Sequence, residues 1–237
     1  MRFAKTYRNK LHVAITILFV ALPFAFFFVF SNVAHLSFPQ LLGDLVLSSI
    51  RLLIAYLLAA TIGWTCAVLF YRGKLATVAL PVFDVLQSFP TFAALPIAVL
   101  FWGPSETTII SFLVITIIWP IFFSIVSNLT MMRKDWQEAI TIYHLRGWNY
   151  LRYYLIPASR AGFVTGSIVG LGEGWEALIA TEIIVNAPQG LGAFFTSVNT
   201  NTSVTAFGIL GFLLLIFSVN KLIWLPLLHW SHRHLEG

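Results

Sequence analysis

Two acidic residues, Glu173 and Glu176, lie inside the apolar stretch 161–185 of this 237-residue chain. Their spacing of three places the two carboxylates beside each other on one face of a helix. A charge near the centre of a bilayer costs about 2.5–3.5 kcal/mol on insertion scales, so such residues are usually paired, protonated or functional. If both face a water-filled path in the ionised form, they favour cationic or neutral solutes and repel anions.

Three roles stay open for this pair of carboxylates. They could form structural ion pairs, with Arg51 and Lys221 as candidate partners because both lie in other apolar stretches. They could contribute to a translocation path. They could also face lipid or a cavity without a function of their own.

Other polar and small residues are candidates for the same path. Asp84 and Gln87 lie in the stretch 77–101, and broken spans can expose backbone groups to a substrate. A hydrogen bond between helices is their alternative role. Glycines recur every four residues from Gly162 to Gly174, which suits either close helix packing or a smooth gate. The predicted translocation-path residues are Asp84, Gln87, Gly166, Gly170, Glu173 and Glu176.

Several catalytic and binding motifs are missing from the sequence. There is no glycine-rich loop ending in Lys and Ser or Thr, so ATP is not expected to bind this chain. There is no His-Glu-x-x-His, and the single cysteine, Cys66, cannot supply a cysteine pair for a metal. The basic residues sit at the ends of apolar stretches, which argues against nucleic acid as a partner. No catalytic residue, metal site or cofactor is therefore predicted on this chain.

The elements that must position these residues are membrane-spanning helices. The chain is 59% hydrophobic and 10% charged, and a spanning helix needs about 20 mostly apolar residues. Prolines 81, 90 and 96 are expected to interrupt the third apolar stretch. The sequence predicts an all-α membrane protein of about six transmembrane helices in one domain, 1–237. The predicted spans are about 12–30, 45–70, 77–101, 107–130, 161–185 and 204–228.

The basic residues predict the orientation of the chain. With a cytoplasmic N-terminus, the outer loops are 31–44, 102–106 and 186–203, and they contain no Lys or Arg. Every other basic residue except Arg51 and Lys221 then lies in a cytoplasmic segment, as the positive-inside rule requires. Both termini are therefore predicted to be cytoplasmic.

The one sizeable hydrophilic segment, 131–160, falls on the predicted cytoplasmic side. Residues 138–143 suggest a short helix with Gly147 as its stop. Residues 148–156 suggest a second helical piece that ends at Pro157.

The apolar side chains of this segment suit two roles. A short helix with exposed apolar residues could rest on lipid headgroups, or it could fit a groove on a cytoplasmic partner. The residues in question are Ile142, Tyr143, Leu145 and Trp148.

This segment resembles the cytoplasmic loop of binding-protein-dependent ABC transporter permeases. Their pattern is Glu-Ala-Ala, a glycine shortly afterwards, and then a Leu-Pro or similar pair. Glu138-Ala139-Ile140 and Ile156-Pro157 stand at the family spacing, while His144 takes the position of the family glycine.

The resemblance covers most of the chain and is greatest to the nitrate/sulfonate/taurine-type permeases. Glu182 takes the place of a common family glutamate, and we expect it to brace the outer loop. The further matching motifs, in order, are Pro90-Thr91-Phe92-Ala93-Ala94-Leu95-Pro96, Phe101-Trp102-Gly103, Trp119-Pro120-Ile121, Gly172 with Trp175 and Ala180-Thr181-Glu182, and Gly190-Leu191-Gly192.

The resemblance implies a type I ABC importer-like permease, with a coupling helix in the loop of about 131–160. Its implied partners are two cytoplasmic ATP-binding subunits that carry ATP and Mg, a second permease chain in a homo- or heterodimer, an extracytoplasmic solute-binding protein, and the bilayer of a prokaryotic inner membrane. The implied ATPase-coupling residues are Glu138, Ala139, Ile142, Tyr143, His144, Leu145, Gly147, Trp148 and Pro157.

The predicted function is the membrane-spanning subunit of an ATP-driven importer for a small solute. The alternative is a stand-alone secondary transporter or channel, in which Glu173 and Glu176 form a proton or cation site. A membrane-embedded enzyme would need a nucleophile or a metal set, and the sequence shows neither.

Overall fold

The computed structural model describes residues 2–131, 134–224 and 226–228, and these residues form helices joined by short turns, without strands. Two of the elements are short π-helical turns, Leu151–Leu155 and Asn220–Trp224. The α-helices are α1 Arg2–Val33, α2 Phe38–Phe70, α3 Lys74–Gln87, α4 Thr91–Trp102, α5 Glu106–Thr130, α6 Lys134–Ile142, α7 Gly147–Tyr150, α8 Ile156–Ile184, α9 Leu191–Val198 and α10 Thr202–Val219.

The core of the bundle is α5, which lies between α2 and α8. A row of apolar residues at every fourth position of α5 is fully buried, running from Ile109 through Ile117 to Ile125. Residues four apart share one helix face, so this row forms a ridge along the helix. The ridge is the surface on which α8 packs.

The glycines of α8 lie on that ridge. A Cβ atom added to Gly166 would lie 2.6 Å from the Cα of Ile121 and 2.7 Å from the carbonyl oxygen of Pro120. At Gly162 it would lie 2.8 Å from the Cα of Ile125. Only a residue without a side chain allows the two backbones to approach so closely. The glycine row is therefore a packing face in this structure.

The third predicted span is two helices. α3 and α4 meet at a bend of 85°, and Pro90 stands immediately before α4. A proline has no N–H and disfavours the helical conformation of the preceding residue. The expectation that Pro81 and Pro96 also interrupt this span is wrong, because both lie inside helices.

By length and composition, three helical segments are long and apolar enough to cross a membrane: α2, α5 and Thr202–Leu228. The bent pair α3–α4 passes the same test as one broken span. α8 has 29 residues, but its glycines and glutamates make it less apolar than these helices. The count of six spans and the orientation of the termini stay predictions.

The predicted outer loops are shorter than expected. α2 already begins at Phe38, inside the predicted loop 31–44. The loop 186–203 contains α9, whose residues Leu191 and Phe194 are buried. Polar residues in these segments favoured loops in the prediction. The helices nevertheless extend through the segments because their apolar faces pack on the bundle.

The close contact between α8 and α5 makes a stability prediction. We expect Gly166→Ala to lower the free energy of unfolding by about 1–3 kcal/mol, the usual cost of overpacking. The matched control is Gly172→Ala on the same helix, where an added Cβ meets nothing within 4 Å. That variant should be neutral or gain up to about 1 kcal/mol from helix propensity. Thermal unfolding in a mild detergent measures both, and equal midpoints would contradict the packing role of Gly166.

Candidate functional site

A buried charge network joins three helices at the predicted outer end of the bundle. The Arg51 guanidinium donates to Glu182 Oε1 through Nη1 at 2.7 Å and to Glu106 Oε2 through Nε at 2.8 Å. Its Nη2 also forms an ion pair with Glu106. Nη1 donates in addition to the carbonyl oxygen of Gln189 at 2.8 Å. One arginine of α2 thus ties the start of α5 to the end of α8.

Glu182 is the most deeply buried member of the network, with a side chain that is 0% exposed. Besides Arg51, it accepts hydrogen bonds from the Ser48 hydroxyl at 2.7 Å and from the backbone N–H of Gly192 at 2.8 Å. Both carboxylate oxygens are therefore used, as a buried carboxylate requires. These contacts agree with the expectation that Glu182 braces the outer loop.

The turn before α9 closes on this network through its own backbone. Asp44 accepts from the N–H of Gly190 at 2.8 Å, and Ser48 accepts from the N–H of Leu191 at 2.9 Å. Gly190 has φ of +125°, and a Cβ atom there would lie 2.7 Å from Arg51 Nη1. Only glycine readily adopts this positive φ, and a side chain at position 190 would collide with Arg51.

The proposed pairing of Arg51 with Glu173 or Glu176 is wrong. Arg51 pairs instead with Glu182, which lies six residues beyond Glu176 on α8, and with Glu106 at the start of α5. Within the part of the chain that the structure describes, neither Glu173 nor Glu176 forms an ion pair, and Lys221 does not pair with them. Spacing along the sequence alone does not show which glutamate of α8 pairs with Arg51.

A polar cavity of 290 Å³ lies where the broken span meets α5 and α8. Gln87 and Thr91 come from the two sides of the break, Thr116 and Ser124 from α5, and Glu173 from α8. The aromatic rings of Trp119 and Phe123 complete its wall, with centroids 6.4 Å apart.

The cavity brings together only part of the predicted path. Gln87 and Glu173 line it, whereas Glu176 does not. Asp84 accepts a hydrogen bond from Gln87 Nε2 at 2.7 Å, which joins two residues of α3 and no second helix. Gly166 and Gly170 lie against α5 and outside the lining.

At the other end of the bundle, α6 has two different faces. Trp136 and Ile140 pack against the core cluster. Ile142 and Tyr143, in contrast, are 70% and 75% exposed, and Trp148 in α7 is 67% exposed. Glu138 is also exposed, and Ala139 lies outside the residues whose side chains are described. Ile142 at the end of α6, Tyr143 in the following turn and Trp148 in α7 together form an exposed apolar ridge, Ile142–Tyr143–Trp148, next to the part of α6 that packs on the core.

The turn after α6 is made at His144, and the expectation of a stop at Gly147 is wrong. His144 has φ of +50°, in the left-handed region, and the N–H of Leu145 bonds to the carbonyl of Ile140 at 3.0 Å. This is the geometry with which a glycine commonly ends a helix. Histidine is more tolerant of it than most residues. Gly147, with φ of +55°, opens the next helix.

Pro157 does not end the second helical piece. The helix that begins at Gly147 runs without a break into α8 through the π-helical turn Leu151–Leu155, and Pro157 lies at the start of α8. A proline ring clashes with the carbonyl four residues earlier in an α-helix, and it has no N–H to donate. The wider π-helical turn immediately precedes this proline and accompanies the continuous helix.

Sequence analysis missed a tyrosine cluster that ties this segment to the end of α2. The hydroxyls of Tyr71 and Tyr150 are hydrogen-bonded, and the Arg72 guanidinium lies 5.1 Å from the centroid of each ring. Tyr150 also stacks on Tyr154 with centroids 5.1 Å apart. Burial, aided by the bond to Tyr150, raises the pKa of Tyr71, so its phenol stays neutral. In the sequence, this cluster is indicated only by the number of aromatic residues in 148–154.

The outer network predicts unequal effects for its two acids. We expect Glu182→Gln to lower the free energy of unfolding by about 3–5 kcal/mol, because the buried Arg51 then keeps only its exposed charge partner, Glu106. Glu106→Gln is the matched control, since the Glu106 side chain is 59% exposed, and it should cost about 1 kcal/mol or less. Thermal unfolding in detergent compares them. An equal loss in both variants would show that Glu182 is not the main partner of Arg51.

The turn at His144 makes a second prediction. His144→Gly should keep the turn, whereas His144→Val should destabilise it by about 1–2 kcal/mol because a β-branched residue resists the left-handed conformation. Hydrogen exchange at the Leu145 amide reports the turn, because that amide donates across it. Equal exchange in the two variants would contradict the assigned geometry.

Comparison with known proteins places these features in a family. Residues 59–224 match the family described as binding-protein-dependent transport system inner membrane component. The chain is 30% identical over 155 residues to the nitrate import permease protein NrtB of Synechocystis sp., an alignment that covers 65% of this chain and 56% of that protein.

Two further relatives have lower coverage or identity. The bicarbonate transport system permease protein CmpB of Synechococcus elongatus is 25% identical over 63% of this chain and 54% of its own length. The taurine transport system permease protein TauC of Escherichia coli is 28% identical over 47% of this chain and 40% of its own length. The alignments thus span about half of the length of these relatives.

The family match covers more than half of the chain, including α5, α8 and the segment between them. The chain therefore belongs to the binding-protein-dependent transport system inner membrane components, and it is a multi-pass membrane protein that is similar to the permeases of nitrate, bicarbonate and taurine transport systems.

Proposed function

We propose that this chain forms the solute path of an ATP-driven importer and receives the ATP-driven motion through the segment Glu138 to Pro157. The observation that carries the proposal is the exposed apolar ridge Ile142–Tyr143–Trp148, which spans the end of α6, the turn after it and the start of α7. Large apolar side chains held out of the bundle by a packed helix are typical of partner-binding surfaces.

The anchoring of α6 favours a partner over lipid alone. Trp136 contacts Tyr154, with ring centroids 6.4 Å apart, and Tyr154 is buried. A force applied to the ridge would therefore act on the π-helical turn that leads into α8. A helix that simply rests on headgroups needs no such connection.

The proposed path includes the polar cavity beside α8. Gln87 and Glu173 line the cavity, and Asp84 and Glu176 lie one turn from them on the same helices. Gly166 and Gly170 act in this proposal as the contact on which α8 moves against α5. Nucleotide would shift the balance between inward-open and outward-open states of the bundle.

The proposed assembly follows the family. Two cytoplasmic subunits bind ATP and Mg, and this chain carries no cofactor. A second permease chain, identical or diverged, completes the path, and an extracytoplasmic binding protein delivers the solute. The names of the relatives give nitrate, bicarbonate and taurine as their solutes, so a small polar solute is proposed for this chain.

A stand-alone secondary transporter is the second candidate. The observation that favours it is a carboxylate, Glu173, at a polar cavity without an ion-pair partner in the described residues. In that case an ion gradient would drive flux and no ATPase would be needed.

The coupling proposal predicts the loss of a specific partner. The chain is purified in mild detergent together with the products of its neighbouring genes, and bound proteins are identified by mass. We expect a P-loop ATPase to bind the native chain. Tyr143→Ala should reduce its retention by about tenfold or more, the size of effect seen for buried aromatic anchors. Glu138→Arg should reduce it as well.

Tyr153→Ala is the control, because Tyr153 is an exposed tyrosine outside the apolar ridge. Its ATPase retention should equal that of the native chain. If the ATPase binds all variants equally, the ridge is not the coupling surface. If no ATPase binds and flux follows an ion gradient, the secondary transporter is correct.

A further inference from the structure

We propose that the cavity beside α8 selects solutes by charge and chemistry, accepting a small organic solute with a cationic or hydrogen-donating nitrogen group and excluding anions. The inference rests on the proposed importer function and gives it a substrate class. The inferred solute class differs from the anions nitrate and bicarbonate, after which the relatives NrtB and CmpB are named.

The described residues that line the cavity carry negative charge and no positive charge. Glu173 contributes a carboxylate, and no Lys, Arg or His belongs to the described lining. Glu176, three residues further along α8, adds a second negative group nearby. Arg51, the buried arginine of α2, is committed to Glu106 and Glu182 at the outer end. An anion entering this cavity would meet repulsion from Glu173 and no compensating cation.

The remaining walls suit a nitrogen-containing organic group. Trp119 and Phe123 present aromatic surface, and the faces of such rings attract organic cations. Gln87, Thr91 and Ser124 add amide and hydroxyl groups that can accept hydrogen bonds from N–H donors. A carboxylate, aromatic faces and neutral acceptors together are complementary to an ammonium, an amidine or a nitrogen heterocycle.

The size of the cavity limits the solute. Its volume is 290 Å³, near the lower end of the ~300–1,000 Å³ typical of small-molecule sites. Two of its lining residues, Gln87 and Thr91, stand on the two sides of the bend between α3 and α4.

Thiol reagents of opposite charge test the selectivity without knowledge of the natural solute. Ser124→Cys serves as the reporter in a Cys66→Ser background, because Cys66 is the only native cysteine. The full chain, purified with whatever partners bind it and placed in lipid nanodiscs, reacts with cationic 2-(trimethylammonium)ethyl methanethiosulfonate or with anionic 2-sulfonatoethyl methanethiosulfonate. Each rate is divided by the rate of the same reagent with free 2-mercaptoethanol.

We expect the normalised rate of the cationic reagent to exceed that of the anionic one by about tenfold, because an uncompensated carboxylate attracts the first reagent and repels the second. Glu173→Gln should reduce this ratio by at least about threefold. Glu176→Gln removes the same charge from the same helix outside the lining, and its effect should be smaller. Thr91→Cys serves as a second reporter on the opposite side of the cavity. With this reporter too, the cationic-to-anionic ratio should be highest with both glutamates present, lower in Glu176→Gln and lowest in Glu173→Gln.

Three results would overturn the inference: a ratio near one, a ratio that Glu173→Gln leaves unchanged, or no reaction with either reagent at both reporter positions. The test is independent of the coupling proposal. Charge selection by Glu173 in a chain that binds no ATPase would contradict only the importer function. ATPase binding with an unchanged ratio would contradict only the selectivity.

Discussion

The close approach of α8 to α5 is the contact on which the other features depend. Glycines at every fourth position of α8 meet the ridge of isoleucines and leucine at every fourth position of α5, and at Gly166 the gap is too narrow for any side chain. Because both helices keep this register along their length, the contact sets the position of each α8 residue along the bundle axis in this conformation. The contact thereby places Glu173 beside the break of the third span and Glu182 beside Arg51.

The two ends of α8 are held by different chemistry. At the predicted outer end, a buried arginine, three carboxylates and the N–H groups of a tight turn satisfy one another. Such a network fixes its geometry because leaving any one partner unpaired is costly. At the other end, the tyrosine cluster and the π-helical turn connect α8 to α6 through aromatic contacts. A packed aromatic contact can shift without leaving an unpaired charge, so this end is better suited to movement.

Much of the fold could be predicted from composition and spacing. Five apolar stretches, the hydrophilic segment and the glycine face of α8 all follow from patterns that act locally along the chain. The predictions that failed required a choice between neighbouring residues that could each break or end a helix. Pro90 breaks its span while Pro81 and Pro96 do not, because the outcome depends on which freed backbone groups find partners. The turn at His144 was missed because a glycine stood three residues later.

The candidate site shows the same limit more sharply. Glu173, Glu176 and Glu182 lie on one helix and are chemically equivalent in the sequence, yet only Glu182 is buried and paired. The difference arises from neighbours distant in sequence: Ser48, Arg51 and the N–H of Gly192 converge on Glu182. Glu173 instead lines a cavity between α8, α5 and the break of the α3–α4 pair. A buried carboxylate must be neutralised by its surroundings, whereas one beside a polar cavity can leave its charge for a ligand. The proposed path therefore brings a passing solute to the unpaired carboxylate of Glu173.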